Sequence, residues 1–162
     1  MNNNIVIRVI RKEDNYSLSK IIKTTLEEFD AAIEGTAYTD KETNAMFEAY
    51  SNEKSIYYVA LFNGEIVAGC GINALQNTEE NICELQKMYM SPEARGKKIG
   101  KNLLLRCLSF AKKAGYHQCY LETFPNMTSA IDLYKKNGFQ NIDHALGNTC
   151  HYSCNVWMLK DL

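Results

Sequence analysis

Between Ser91 and Lys101 the chain reads Ser-Pro-Glu-Ala-Arg-Gly-Lys-Lys-Ile-Gly-Lys, placed where a strand pattern stops and a helical pattern starts. The chemistry available to such a stretch is anion binding. Gly96 and Gly100 let the backbone turn and approach a ligand closely, and the first N–H groups of a helix have no acceptor within it. The helix macrodipole and the cations of Arg95, Lys97, Lys98 and Lys101 add favourable potential for a phosphate. The spacing is neither that of a P-loop nor Gly-x-Gly-x-x-Gly, so nucleotide hydrolysis and Rossmann-type dinucleotide binding are excluded. Taken by itself, the stretch reads equally well as a solvated basic turn.

Other residues with chemical potential are scattered. Glu84 and Glu122 sit in strand patterns that can turn both into one cleft. A carboxylate in a partly dry cleft has a raised pKa and can take a proton from an ammonium group, directly or through water. The competing reading of either is a structural hydrogen bond between strands. Glu27, Glu28, Asp30 and Glu34 form an acidic cluster that either attracts a cation or solvates a helix face. Cys150, His151 and Cys154 lie close together, but they form no Cys-x-x-Cys pair and have no fourth ligand at a usual spacing, so no metal is expected.

The elements that must position these residues are legible from period and punctuation. Residues 5–11 alternate as a strand, and Asp14 is placed to cap a helix carrying Leu18, Ile21, Ile22, Leu26 and Phe29. A second helix is expected after Thr39 or Asp40, through Met46, Phe47 and Tyr50. Residues 56–62 and 65–73 are apolar runs joined by Asn63-Gly64, a tight-hairpin dipeptide. A strand over 82–90 leads to an amphipathic helix over 100–114, ended by Gly115. A strand over 117–124, a helix opened by Asn126 or Thr128 and closed at Gly138, and a final strand near 155–160 complete the order. This predicts a mixed, mostly antiparallel sheet of about seven strands flanked by about four helices, in one domain over residues 1–162.

In this setting the 91–101 stretch resembles the signature of the GCN5-related N-acetyltransferase (GNAT) superfamily, Gln/Arg-x-x-Gly-x-Gly/Ala. Arg95, Ile99 and Gly100 fit; Lys98 stands where the pattern has its first glycine, with Gly96 two residues earlier. Residues 82–142 extend the likeness: ELQKMYMSPEARGKKIG is similar to the family's fourth strand and pyrophosphate loop, and LETFPNMTSAIDLYKKNGF to its fifth strand, next helix and Leu-Tyr-x-x-x-Gly-Phe end.

The resemblance implies an acyl-CoA N-acyltransferase fold and acetyl transfer from acetyl-CoA to an amine by direct attack in a ternary complex. It implies acetyl-CoA in a V-shaped gap between the fourth and fifth strands. Backbone groups of Met88, Tyr89 and Met90 hold the acetyl carbonyl and pantetheine, residues 95–101 hold the pyrophosphate, and Asn126 and Ser129 bond the pantetheine arm. Tyr134 stands near the sulfur as general acid. Glu84, then Glu122, is the candidate base, beside a water chain with no single base. Glu28, Asp30, Tyr38 and His151 are candidates for the acceptor pocket. A small-molecule amine is the expected acceptor; a protein amino group, or a non-catalytic acyl-CoA-binding module, are the alternatives. The family also allows a homodimer.

Composition agrees with this and excludes other classes. Of 162 residues, 46% are hydrophobic and 23% charged, with a formal net charge of −1, so no global field draws the chain to nucleic acid or an acidic membrane. The basic turn has few charges and no interleaved aromatics, which disfavours nucleic acid. No apolar run approaches the length of a membrane span, and the first residues lack a signal-peptide pattern, so a cytoplasmic protein is expected. Cys70, Cys83, Cys107 and Cys119 lie in apolar patterns and read as reduced core residues.

Overall fold

The computed structural model describes residues 4–78 and 81–162; Met1–Asn3, where the signal-peptide reading began, and residues 79–80 lie outside them. Strands β1 (Ile5–Val9), β2 (Ile56–Phe62), β3 (Glu65–Ala74), β4 (Ile82–Met90), β5 (Gln118–Thr123), β6 (Gln140–Ile142) and β7 (Val156–Asp161) form one sheet, ordered β1-β2-β3-β4-β5-β7-β6. All neighbours are antiparallel except β4 and β5. Helices α1 (Asn15–Glu28), α2 (Met46–Ala49), α3 (Ile99–Lys113) and α4 (Thr128–Lys136) flank it. The β2–β3 hairpin turns on Asn63 (φ 52°) and Gly64 (φ 90°), both left-handed as the dipeptide requires.

Two apolar clusters hold the layers together. α3 contributes Leu103, Leu104, Cys107 and Ala111 to one, against Cys70, Ile72, Cys83, Leu85, Cys119 and Leu121 of the strands. α1 contributes Leu18, Ile22 and Leu26 to the other, with Met46, Tyr57 and Val59. The four strand and helix cysteines are free and buried, and they pack as small apolar side chains. No helix among the described residues is long and apolar enough to cross a membrane.

Two local expectations need correction. Asp14 does not cap α1; it is buried, accepts the Arg11 N–H at 2.7 Å and pairs with Arg8 at 2.7 Å, tying the strand to the turn before the helix. The second helix is only the four residues of α2, preceded by a 3-10 turn at Lys41–Asn44. Asp40 makes no side-chain cap there because its carboxylate is engaged by residues distant in sequence, described below.

Two features of β4 shape the site. It pairs with β5 at Ile82–Gln118, Cys83–Cys119 and Glu84–Tyr120, beyond which the pairing ends. It also carries a bulge, since its register on β3 moves from Gly71↔Gln86 to Gly69↔Tyr89. Lys87 takes up the extra residue at φ 47°, and its carbonyl accepts the Tyr57 hydroxyl at 2.6 Å. A bulge bends and twists its strand, and this one falls just past the last β4–β5 pair.

Candidate active site

A cleft of about 510 Å³ opens where β4 and β5 part. Its floor is Met88, Tyr89 and Met90, a strand segment that β5 no longer pairs, so that edge can bond an extended ligand through the backbone. Asn126, Ser129 and Leu133 form one wall, and Thr25 of α1 with Phe29 just past its end the other.

The mouth of the cleft is the start of α3. Gly96 turns at φ 73°, Lys98 is the N-cap residue at φ 60°, and the N–H groups of Ile99, Gly100 and Lys101 fall in the first turn, where no intrahelical acceptor exists. Gly100 sits close under two methionines: a Cβ there would lie 2.7 Å from Met90 Cε and 3.2 Å from Met88 Cε, so these side-chain ends would have to shift. Lys98 occupies the left-handed conformation that glycine adopts without strain. Lys98→Val is therefore expected to destabilise the fold by about 1–2 kcal/mol, roughly 3–6 °C in melting temperature, with Lys98→Gly close to wild type. Equal melting temperatures for the two variants would contradict this.

At the deep end a second, small cavity of about 50 Å³ is lined by Leu121 and Glu122 of β5 together with Lys87, Tyr134 and Cys154. Successive strand residues point to opposite faces, so a cavity touching both Leu121 and Glu122 passes through the sheet at the parting of the strands. Tyr134 of α4 enters from one face, buried, with its hydroxyl 3.6 Å from Met88 Sδ and its ring edge-on to Phe139. Burial holds its phenol well above the usual value, so it stays protonated. The Cys154 thiol is pushed up to about 12, first by burial and then by Glu122, Glu84 and Asp40, so it is no thiolate at neutral pH.

On the opposite face lies a network of charges. Glu84 is 4% exposed, and its Oε2 accepts Gln86 Nε2 at 2.6 Å, with Gln86 held in turn by the Tyr50 hydroxyl at 2.7 Å. Burial, reinforced by Glu122, raises the Glu84 carboxyl to about 7 against the pull of Gln86, His151 and Lys87. Glu122 accepts the Tyr120 hydroxyl at 2.7 Å and the Thr149 hydroxyl at 2.6 Å. Lys87 is buried and pairs with Asp40 at 3.2 Å and Glu42 at 3.5 Å, while Asp40 also accepts His151 Nε2 at 2.8 Å. Burial is the largest influence on both Asp40 and His151 and opposes their charge, but their mutual hydrogen bond and the surrounding charges together outweigh it, lowering the Asp40 pKa and raising that of His151. The arrangement offers an anion cradle at one end of a narrow apolar cleft, a phenol in the small cavity that adjoins it, and, on the opposite face of the sheet, a carboxyl that titrates near neutrality.

Comparison with known proteins agrees with that geometry. The model of the Acetyltransferase (GNAT) family matches residues 20–139. The chain belongs to the GNAT family. The Escherichia coli K12 protein named Uncharacterized N-acetyltransferase YjgM is 39% identical over 158 residues, covering 97% of this chain and 95% of its own. Spermidine N(1)-acetyltransferase of Thermoplasma acidophilum is 29% identical over 145 residues, 84% of this chain and 88% of its own. The fold matches a solved PaiA N-acetyltransferase of Thermoplasma acidophilum in complex with coenzyme A, at TM-score 0.75 and 24% identity over 98% of this chain and 99% of that one. As a GNAT member this chain is an acetyl-CoA-dependent N-acetyltransferase.

The GNAT signature residues converge with two exceptions. Arg95, Gly96, Lys98, Ile99, Gly100 and Lys101 line the cleft, whereas Lys97 turns away, its Nζ 5.1 Å above the Phe62 ring. Tyr134 lines the small cavity and not the main cleft. Asn126 lines the cleft and gives its amide to Phe29 O at 2.9 Å.

The acidic cluster at the end of α1 does not act as one wall. Glu28 forks onto Arg95, 2.6 Å at each oxygen, on the α3 side of the main cleft, and Arg95 holds its carboxyl below the usual range. Glu27 accepts the Tyr38 hydroxyl at 2.9 Å, and Asp30 is exposed in a left-handed turn. Of the four acceptor candidates only His151 joins the charge network. Asp40 and Lys87, central to that network, were not singled out: one reads as a helix cap, the other as an outward strand residue, and no local pattern marks the bulge that turns Lys87 inward.

Proposed function

We propose that the whole chain, 1–162, works as one domain that transfers the acetyl group of acetyl-CoA directly to a small primary amine in a ternary complex. The observation that carries this reading is the continuity of the site. The main cleft runs from the free amides of α3 along the unpaired edge of β4, and the small cavity that adjoins it at Met88, Tyr89, Met127 and Ala130 is lined by Tyr134 and by Glu122, the neighbour of the buried Glu84 in the charge network.

In this reading the pyrophosphate sits on residues 95–101, and the backbone of Met88, Tyr89 and Met90 takes the pantetheine and the acetyl carbonyl, with Asn126 and Ser129 alongside. An amine with an ordinary pKa near 10 arrives protonated and must lose that proton before attack. Glu84 takes it, directly or through water, and Glu122 keeps the local potential negative enough to draw in the ammonium. The amine nitrogen then attacks the thioester carbon, β4 amides stabilise the oxyanion, the thiolate leaves with a proton from Tyr134, and the now cationic nitrogen gives its second proton, through water, back to the Tyr134 phenolate. His151 borders the acceptor side. The similarity to a spermidine N(1)-acetyltransferase and the small volume at the deep end, about 50 Å³, favour a small cationic acceptor over a polypeptide.

The test is thermal unfolding with acetyl-CoA, free CoA and a panel of amines, followed by a thiol-release assay. Acetyl-CoA at a hundredfold excess over its Kd is expected to stabilise the protein by about 2.7 kcal/mol, and small amines, polyamines first, to drive thiol release. The absence of any shift at saturating acetyl-CoA would overturn the site. Release with a peptide amine and none with the small amines would move the acceptor to proteins, and a shift without release from either would leave a binding module.

A further inference from the structure

The carboxylates of Glu84 and Glu122 and the imidazole of His151 each bring one donor atom within 4.8 Å of the others, the only such set of three His, Cys, Asp or Glu side chains among the described residues. The sulfurs of Cys150 and Cys154 are not part of it. The three residues come from β4, β5 and the loop before β7, so the fold alone assembles them.

Hydrogen bonding leaves donor atoms of this set open to a cation. Lys87, the buried cation of β4, is committed to Asp40 and Glu42. Glu84 accepts the Gln86 amide at Oε2 and makes no hydrogen bond through Oε1 among the described residues, so that oxygen is open to a ligand. A cation held between the two carboxyls would offset the repulsion between them. The third donor indicates its kind. Asp40 bonds His151 Nε2 at 2.8 Å, so Nδ1, which has no hydrogen-bond partner among the described residues, is the nitrogen that would bind an ion, giving up any proton it carries. Glu122 is held from behind by the hydroxyls of Tyr120 and Thr149. A carboxylate behind a histidine and hydroxyls behind a glutamate are the supports that metal ligands commonly have. One nitrogen and two carboxylate donors suit a zinc-type ion, whereas magnesium and calcium favour oxygen alone. Glu122 and His151 are only partly buried, so their side chains can close the spacing to bonding distance.

We propose that Glu84, Glu122 and His151 bind one divalent transition-metal ion of the zinc type, which takes the place of the acceptor's ammonium group and so switches acetyl transfer off. The inhibitory half rests on the acceptor-side assignment made above; the binding half does not.

The test begins with chelator-treated protein, without acetyl-CoA or amine, titrated calorimetrically with Zn²⁺ and, for its spectrum, with Co²⁺. One ion per chain is expected, with Glu122→Gln and His151→Ala each weakening binding by about tenfold or more. A Cys150→Ser/Cys154→Ser double variant should bind as wild type, and the Co²⁺ complex should lack a thiolate charge-transfer band. Both single substitutions replace partly exposed side chains, and a wild-type melting curve for each confirms the fold. No binding, binding that survives both substitutions, or binding lost with the cysteines would overturn the site. In turnover assays Zn²⁺ should compete with the amine and leave the acetyl-CoA-induced thermal shift in place; inhibition that follows acetyl-CoA instead would overturn the switch. Should acetyl-CoA fail to stabilise the protein, the acetyltransferase site falls while the calorimetry still reports on the metal.

Discussion

Glu84→Gln should lower kcat/KM for the amine by roughly 10²–10³-fold, the usual contribution of a general base, while the stabilisation by acetyl-CoA persists. The substitution keeps the shape of the side chain and removes only its capacity to take a proton. Because burial places the carboxyl at about 7, wild-type activity should rise with pH through about 7, and this limb should disappear from the residual activity of the variant. A variant with near wild-type kcat/KM and an unchanged pH profile would assign proton removal to a water chain or to Glu122.

The same shift makes a stability prediction of definite sign. The folded-state pKa is raised from 4.5 to about 7, so the folded protein binds the proton more tightly than the unfolded chain. Below about pH 4.5 both states are protonated and the residue costs nothing as a charge. Between about 4.5 and 7 the unfolded chain ionises first and stability falls; above about 7 the loss is complete, at most roughly 3 kcal/mol. Glu84→Gln should flatten this part of the stability curve, so the variant gains on the wild type as pH rises. Denaturant melts at pH 4.5 and 8 measure it, and parallel curves for the two proteins would contradict it.

Tyr134→Phe is the second large effect. The hydroxyl has one partner, the weak acceptor Met88 Sδ at 3.6 Å, so its removal should change the melting temperature little. The ring contact with Phe139 survives in the variant. If the phenol protonates the departing thiolate, kcat falls roughly 10²-fold while the acetyl-CoA thermal shift is retained. A purely structural role for the buried tyrosine predicts the reverse, a lower melting temperature with kcat preserved. The two readouts separate a residue that acts on the reaction from one that fills the core.

Much of this was legible along the chain. The Asn63-Gly64 hairpin, the apolar stripe of α3 and the glycine-flanked start of that helix depend on neighbours a few residues away, so period and turn chemistry reveal them. Lys98 shows both sides of this: the residue departs from the glycine of the family pattern, yet the backbone keeps the glycine conformation at φ 60°, because the loop geometry is set by its surroundings. Glu84, Glu122 and Tyr134 were identifiable as candidates by strand position and family likeness, but their spatial relation was not.

What tertiary structure alone decided is where the charges go. Glu28, grouped by sequence with an acidic patch, is claimed by Arg95 across 67 positions, and Lys97, grouped with the basic turn, lies over Phe62 of β2. Asp40 reads locally as a helix cap, yet it joins Lys87 to His151 across 111 positions. A hydrophobic stripe repeats, so its period shows in the sequence itself. A salt bridge needs one partner at short range, and which partner arrives is settled by the β4 bulge, the end of the β4–β5 pairing and the loop that crosses them. The sequence by itself determined the layers, the anion cradle and the chemical class; the packing of distant segments determined which carboxyl is buried, and burial is what brings its titration to neutrality.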